Sequence, residues 1–353
     1  MEARSRRAEH SPGKSARAGV LAAIGVSALL GSMPARTARA CDVCAIYVAT
    51  ELRETEVGPW VGVAEQLGRF QTLLDEGEEI PGGGQQLTSS ITQLIAGYDV
   101  LPELGFQVTV PLIVRDFRRP IDGTWQEGHE NGLGDVSILA VYRPFFHMDG
   151  ETTMRLSLLG GIETPTGSTD RIAEELDEDH HAEEMSRALG GRPRHEEEPA
   201  PGFPPNGIHG HDLALGSGSI DGLVGAQLFA SWSKLFATAN VQYAIRSTGD
   251  YEYRYANELT LSGGPGLFAI LEHSYTFTVQ ANVGGEWKEN DELDGVATTD
   301  TAITAVYLGP ALGFTWKNVL GASLALDLPV LQENSSIQLV PDFRLRGGLT
   351  WQL

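Results

Sequence analysis

Six histidine and carboxylate residues carry the most specific chemistry legible in this chain. His180 and Glu184 are four apart, as are Asp177 and His181, within a stretch from Thr169 to Leu189 that has a capping residue at Ser168 or Thr169 and no proline or glycine until Gly190. If that stretch is helical, each pair shares a face. Imidazole together with carboxylate is a ligand set for Zn²⁺ or a similar divalent ion, and His209 and His211, with His195 between, extend it. The same stretch also reads as a solvated acidic loop that binds nothing, with the run from Pro199 to Pro205 as an extended connector. A second chemical pair is Cys41 and Cys44, a lone Cys-x-x-Cys that fits a small disulfide, a redox couple or half of a metal site. Enzymatic chemistry is poorly supported. No Gly-x-Ser-x-Gly, phosphate loop or dinucleotide fingerprint occurs, and His147 and His273 fall at turns. No cofactor is implied beyond the divalent ion.

The elements that must position these groups begin after residue 40. Arg4, Arg6, Arg7, Lys14 and Arg17 precede the apolar run from Ala18 to Leu30, and Ala38-Arg39-Ala40 offers a small-x-small cleavage pattern, so residues 1–40 read as an export signal. Residues 41–57 then form a short periplasmic segment that carries the cysteine pair. Removing residues 1–40 takes away seven basic and two acidic residues, and the formal charge moves from −22 to −27. Such acidity argues against nucleic acid as a partner. It draws cations to any mouth where carboxylates gather.

From residue 58 to 353 the dominant pattern has a period of two. Leu235, Ala237, Ala239, Val241, Tyr243 and Ile245 alternate with Phe236, Thr238, Asn240, Gln242, Ala244 and Arg246. The pattern returns from Tyr275 to Lys288. Strict alternation of this length is a β-strand with unlike environments on its two faces. About twelve such segments occur, each near or above the ~9–11 residues that a tilted strand needs to cross a bilayer. Long connections alternate with short ones, and the long set includes 71–87, 115–133, 165–217 and 331–340. That plan predicts an all-β fold: a closed antiparallel transmembrane β-barrel of about twelve strands with a long, acidic, partly helical extracellular loop at 165–217. In hydrocarbon a sheet must close, because an open edge leaves its N–H and C=O groups unpaired. Trp60, Tyr98, Tyr142, Phe145, Trp232, Tyr275, Trp287, Trp316 and Trp351 stand near strand ends and suit interfacial girdles. The final strand alternates Phe343, Leu345, Gly347, Leu349, Trp351 and Leu353, a carboxy-terminal pattern similar to that read by the barrel-assembly machinery.

Four glycine motifs punctuate the strands: Asn131-Gly132-Leu133-Gly134-Asp135-Val136, Glu163-Thr164-Pro165-Thr166-Gly167-Ser168, Leu215-Gly216-Ser217-Gly218-Ser219-Ile220-Asp221 and Thr248-Gly249-Asp250-Tyr251. In order and type they resemble the outer-membrane transporters associated with the phenol meta-cleavage pathway. The resemblance covers roughly residues 58–353. It implies a porin-like barrel of the bacterial outer membrane, with lipid and small organic solutes as partners. Asp135 and Asp221 are expected either to cap turns or to point into the lumen.

The wet faces supply the candidate pore-lining residues: Arg155, Glu163, Asn240, Gln242, Arg246, Gln280, Asn282, Glu286, Asp327, Arg344 and Arg346. Arginines facing acids across a pore orient polar solutes, whereas in a narrow barrel the same residues only hydrogen-bond one another. The expected function is passive passage of small, hydrophobic or aromatic solutes through an outer-membrane channel. Alternatives are a metal-binding outer-membrane protein that uses the His/acid loop, and a barrel partner for a periplasmic redox protein.

Overall fold

The computed structural model describes residues 57–121, 123–177, 202–317 and 319–353. Twelve long strands follow one another around a closed sheet. They are β1 (Gly58–Asp75), β2 (Gln86–Leu101), β3 (Leu104–Ile121), β4 (Val136–Asp149), β5 (Thr152–Thr164), β6 (Asp221–Trp232), β7 (Leu235–Ile245), β8 (Glu258–Leu271), β9 (Tyr275–Lys288), β10 (Ile303–Trp316), β11 (Leu320–Asn334) and β12 (Ile337–Gln352). Each pairs antiparallel with its sequence neighbours, and β12 closes the sheet onto β1, from Trp60 opposite Gln352 to Asp75 opposite Ile337. Closure satisfies the backbone groups of what would otherwise be edge strands.

The alternation sorts the side chains as oil outside and mixed inside. On β7, Leu235, Tyr243 and Ile245 are outward and exposed, while Phe236 and Ala244 are buried inward. Val108, Ile138, Leu158, Val224, Leu267, Val283, Leu308, Leu328 and Leu349 continue the outward apolar belt around the barrel. Near the short-turn end Tyr98, Tyr142, Trp232, Tyr275, Trp316 and Trp351 face out, each at least 40% exposed. The apolar belt, the aromatic ring and the closed sheet make this an outer-membrane β-barrel.

Trp60 departs from the expected girdle. It is 2% exposed and packs inside the barrel with Ala64 and Ile95. The reason is that Gly97, its partner on β2, has no side chain, and a Cβ there would lie 2.2 Å from the Trp60 ring. Two expected long loops are also largely strand. Thr124–Leu133 pairs with the far half of β3, so 115–133 is a β-hairpin whose residues 115–118 also pair with β2 in the barrel wall. β11 runs on to Asn334 and β12 starts at Ile337, which leaves a tight turn with Ser336 at φ +49° where a ten-residue loop was expected.

Candidate functional site

The barrel interior divides into three tiers. The lowest is a cavity of about 1070 Å³ that reaches the short turns at Pro102, Glu103, Gly150, Glu151, Ser233 and Lys234. Space exists here because one wall is built from small side chains: Thr276 and Thr278 on β9, Ala311, Gly313 and Thr315 on β10, and Gly321, Ser323 and Ala325 on β11. The other wall is aromatic. Phe229 and Phe236 stack with ring centres 6.0 Å apart, Phe236 and Phe268 lie 5.1 Å apart, and Phe146 and Met148 complete the lining. Gly266 lets the Phe236 ring lie flat, since a Cβ at that position would meet the ring at 2.2 Å. Among the polar residues foreseen for the lumen, Arg155, Asn240, Gln280, Asn282 and Arg346 line this cavity. Gln280 Nε2 donates to Thr238 Oγ1 at 2.7 Å, and Asn240 Nδ2 donates to Ser262 Oγ at 3.3 Å. Gln242 follows Asn240 by two on the same inward face of β7.

The middle tier is a lattice of ion pairs and hydrogen bonds among inward side chains, some between neighbouring strands and some over one or two intervening strands. Arg344 on β12 donates to Glu286 on β9 at 2.5 Å and lies over the Tyr307 ring. Asp327 on β11 accepts from Arg346 Nε at 2.7 Å and from Asn282 Nδ2 at 3.0 Å. Arg246, just past β7, is 6% exposed and donates to both Glu163 and Asp221, at 2.5 and 2.7 Å. The widest of these, Arg344 to Glu286, reaches over the inner faces of β10 and β11 and narrows the lumen there. At this height the arginines and acids bond one another directly.

The upper tier is a segment of the long loop, residues 202–217, turned inward. Ile208 and Leu213 are fully buried against Phe70, Leu87 and Phe117 on the inner faces of β1, β2 and β3, and Leu215 packs on Ile91 and Ile113. Such a segment must satisfy its own backbone, and barrel side chains do this. Arg115 Nη1 donates to the carbonyls of Asp212 and Ala214 at 2.5 and 2.7 Å, and Arg119 Nη1 to that of Ile208 at 3.2 Å. Gln85 Nε2 donates to Pro205 O, while its Oε1 accepts from Gly207 N. The Leu339 amide donates to Gly207 O at 2.8 Å.

The glycine motifs anchor the two ends of this loop. Asp135 Oδ1 accepts from the Thr166 and Gly167 amides, and its Oδ2 accepts from the Ser217 amide and hydroxyl at 2.6 and 2.8 Å. Ser219 links Ser217 to Asp221, and Asp221 leads to Arg246. Gly167 and Gly216 meet so closely that a Cβ on Gly216 would lie 2.7 Å from the Gly167 backbone. Asp135 therefore caps a turn, and Asp221 both caps Ser247 N and joins the ion-pair tier.

Beside the inturned segment, residues 170–177 form a helix whose Ile172 packs with Ala214, Tyr253 and Tyr255. Of the metal candidates, the fold brings His209 and His211 together, with ring centres 5.3 Å apart. Asp177 is exposed and is not one of the grouped ligands, while His180, His181, Glu184 and His195 lie outside the described residues. Cys41, Cys44 and the expected export signal also lie outside them. The histidines instead gather Asp212, Glu175 and Asp300. Burial opposes ionisation of Glu175, but the charge of His211 and its hydrogen bonds override burial and hold the carboxyl at about 2. Burial alone favours a neutral His211 ring, and Glu175, Asp212 and Asp300 together raise its pKa well above the ordinary value. The sequence reading missed Arg115, Arg119, Gln85, Asp212, Glu175 and Asp300. The signal for the first two is present in the sequence, since Ile113, Arg115, Phe117 and Arg119 continue a period of two past Val114.

No protein-family model and no curated protein sequence matches the chain. Among solved structures, the chain is similar to an outer-membrane channel from Pseudomonas putida F1, with a TM-score of 0.58 and 14% identity over 87% of this chain and 99% of that one. It is less similar to the β domain of the Bordetella autotransporter BrkA, with a TM-score of 0.40 and 12% identity over 84% of this chain and 99% of that one. For the translocator domain of the autotransporter NalP from Neisseria meningitidis the TM-score is 0.38 and the identity 13%, over 87% of this chain and 92% of that one. At these identities the likeness is one of fold.

Proposed function

We propose that this chain is a passive channel of the bacterial outer membrane for small hydrophobic or aromatic solutes, with the short turns facing the periplasm and the long loops outside. Loop length supports the orientation, because outer-membrane barrels keep short turns on the periplasmic side. The observation that carries the reading is the lower cavity, whose Phe229, Phe236 and Phe268 face a wall of threonine, serine, alanine and glycine. A concave site that is mostly apolar, with a few placed amides and hydroxyls, suits a ring with one or two polar substituents better than a sugar, which needs many hydrogen bonds. The inner wall of β4 to β7 is also apolar, through Leu139, Val141, Leu159, Leu223 and Ala244. The resemblance to transporters of the phenol meta-cleavage group implies a small organic cargo. Passage is diffusive, and insertion depends on the barrel-assembly machinery. The anchor and redox-partner readings are less favoured, because neither requires a cavity of this size.

Uptake into proteoliposomes tests the reading. A small monoaromatic alcohol should enter faster than a sugar of similar size, and Thr278→Trp, which places an indole in the cavity, should abolish most of the aromatic flux. Equal rates with and without protein, or preference for the sugar, would sink it.

A further inference from the structure

The histidine cluster on the inturned segment has the geometry of a metal site that no barrel function requires. One nitrogen of His209, one of His211 and a carboxylate oxygen of Asp212 lie within 4.8 Å of one another. His211 Nε2 is 3.6 Å from Asp212 Oδ1, and His209 Nδ1 is 3.8 Å from Asp212 Oδ2. These separations are too long for hydrogen bonds. They are close to the roughly 3.3–3.5 Å between ligand atoms that a tetrahedral ion with ~2.0–2.1 Å bonds imposes. A second observation points the same way: His209 Nδ1 is shut off from solvent and, apart from a capping contact between the His209 side chain and the Asp212 amide, has no hydrogen-bond partner.

The outer groups are also those a metal centre uses. A ligating imidazole is normally oriented by a carboxylate on its other nitrogen. His211 Nδ1 is 3.0 Å from Glu175 Oε1, and its backbone amide donates to Glu175 Oε2. On the His209 ring, Nε2 faces Asp300 at 3.8 Å. Neighbouring cations are otherwise engaged. Lys288 pairs with Asp291 at 2.8 Å, and Arg115 is bound to backbone carbonyls.

We propose that His209, His211 and Asp212 bind one divalent transition-metal ion of the Zn²⁺ type, with Glu175 orienting the His211 ring and a fourth position left for water. The ion closes the 209–212 turn of the inturned segment, which Glu175 joins to the 170–177 helix through His211. Two nitrogens and one oxygen favour Zn²⁺ or Co²⁺ over Ca²⁺ or Mg²⁺, which take oxygen ligands.

The test uses the full mature chain in detergent, stripped with a chelator and titrated with Co²⁺ while visible absorption is recorded. The expected result is one Co²⁺ per chain with an intense tetrahedral-type band that Zn²⁺ displaces. His209→Ala should remove the band, and Glu175→Gln should weaken binding by about 10–100-fold. A His180→Ala/His181→Ala/His195→Ala variant should keep it. Heat-modifiable gel mobility confirms that each barrel is folded, and if Asp212→Asn does not fold, His209→Gln decides the matter. Absence of the band, its persistence in His209→Ala, or its loss in the triple variant would overturn the proposal. The readout is binding alone, so a failed flux experiment leaves this inference untouched.

Discussion

The two ends of the barrel are built from the same twelve strands and yet differ in what occupies the inside. At the short-turn end the inward positions of β9 to β11 are threonine, serine, alanine and glycine, and about 1070 Å³ is left open. Toward the long-loop end the same strands carry Lys288, Glu286 and Tyr307, with Arg344 beside them on β12, and the remaining space is taken by residues 202–217. Strand number sets the barrel's diameter, but the sizes of inward side chains set where it is hollow. The comparison implies that passage is limited by the upper half, and that the lower half determines what is held.

Replacing residues 203–214 with a Gly/Ser linker is the sharpest way to break that contrast. Single-channel conductance in planar bilayers should rise severalfold, with the barrel still folded because its closing β1–β12 ladder is untouched. Next in size is Arg246→Ala. It leaves Glu163 and Asp221 buried without their shared cation, a loss on the order of 3–5 kcal/mol. Thermal unfolding in detergent should report it, and Glu163→Gln in the same chain should recover part of it. A milder effect is expected from Gly207→Val, whose side chain would collide with Leu73. The inturned segment should loosen, giving more frequent openings with little change in melting temperature. Smallest is Arg118→Ala. Its contacts are an ion pair with the exposed Glu127, a hydrogen bond to Gly84 O and a cation–π contact with Trp125, so the change should stay near about 1 kcal/mol and leave conductance unaltered.

The architecture was legible in the sequence to the extent that periodicity encodes it. Strand β9 runs over Tyr275–Lys288 as expected, and the inward faces contain the foreseen Arg155, Asn240, Gln280 and Asn282 because alternation fixes the face without any knowledge of the partner strand. What alternation does not encode is where an inward side chain meets another element. Trp60 matched an interfacial aromatic in type and position, and only its pairing with Gly97 reveals that the ring turns inside. Arg115 and Arg119 fall in the stretch expected as a long connection, whereas they are strand residues whose guanidiniums donate to the inturned carbonyls. The segment itself, from 202 to 217, is rich in proline and glycine, which in isolation is the composition of a connector. Its buried Ile208 and Leu213 become meaningful only against Phe70 and Phe117, which are more than ninety residues away in sequence. For the same reason Glu175, Asp212 and Asp300 were not recognised as companions of His209 and His211.

The account turns on a lumen that is open from below and shut from above. In a chain with Cys41→Ser and Cys44→Ser, a single cysteine introduced at Ser323 reports this through its reaction with a membrane-impermeant maleimide, first in intact cells and then with the periplasmic face made accessible. Rapid labelling only after periplasmic access is the predicted result, with labelling from outside appearing once residues 203–214 are replaced. Equal labelling from both faces of the native chain, or none from either, would contradict it.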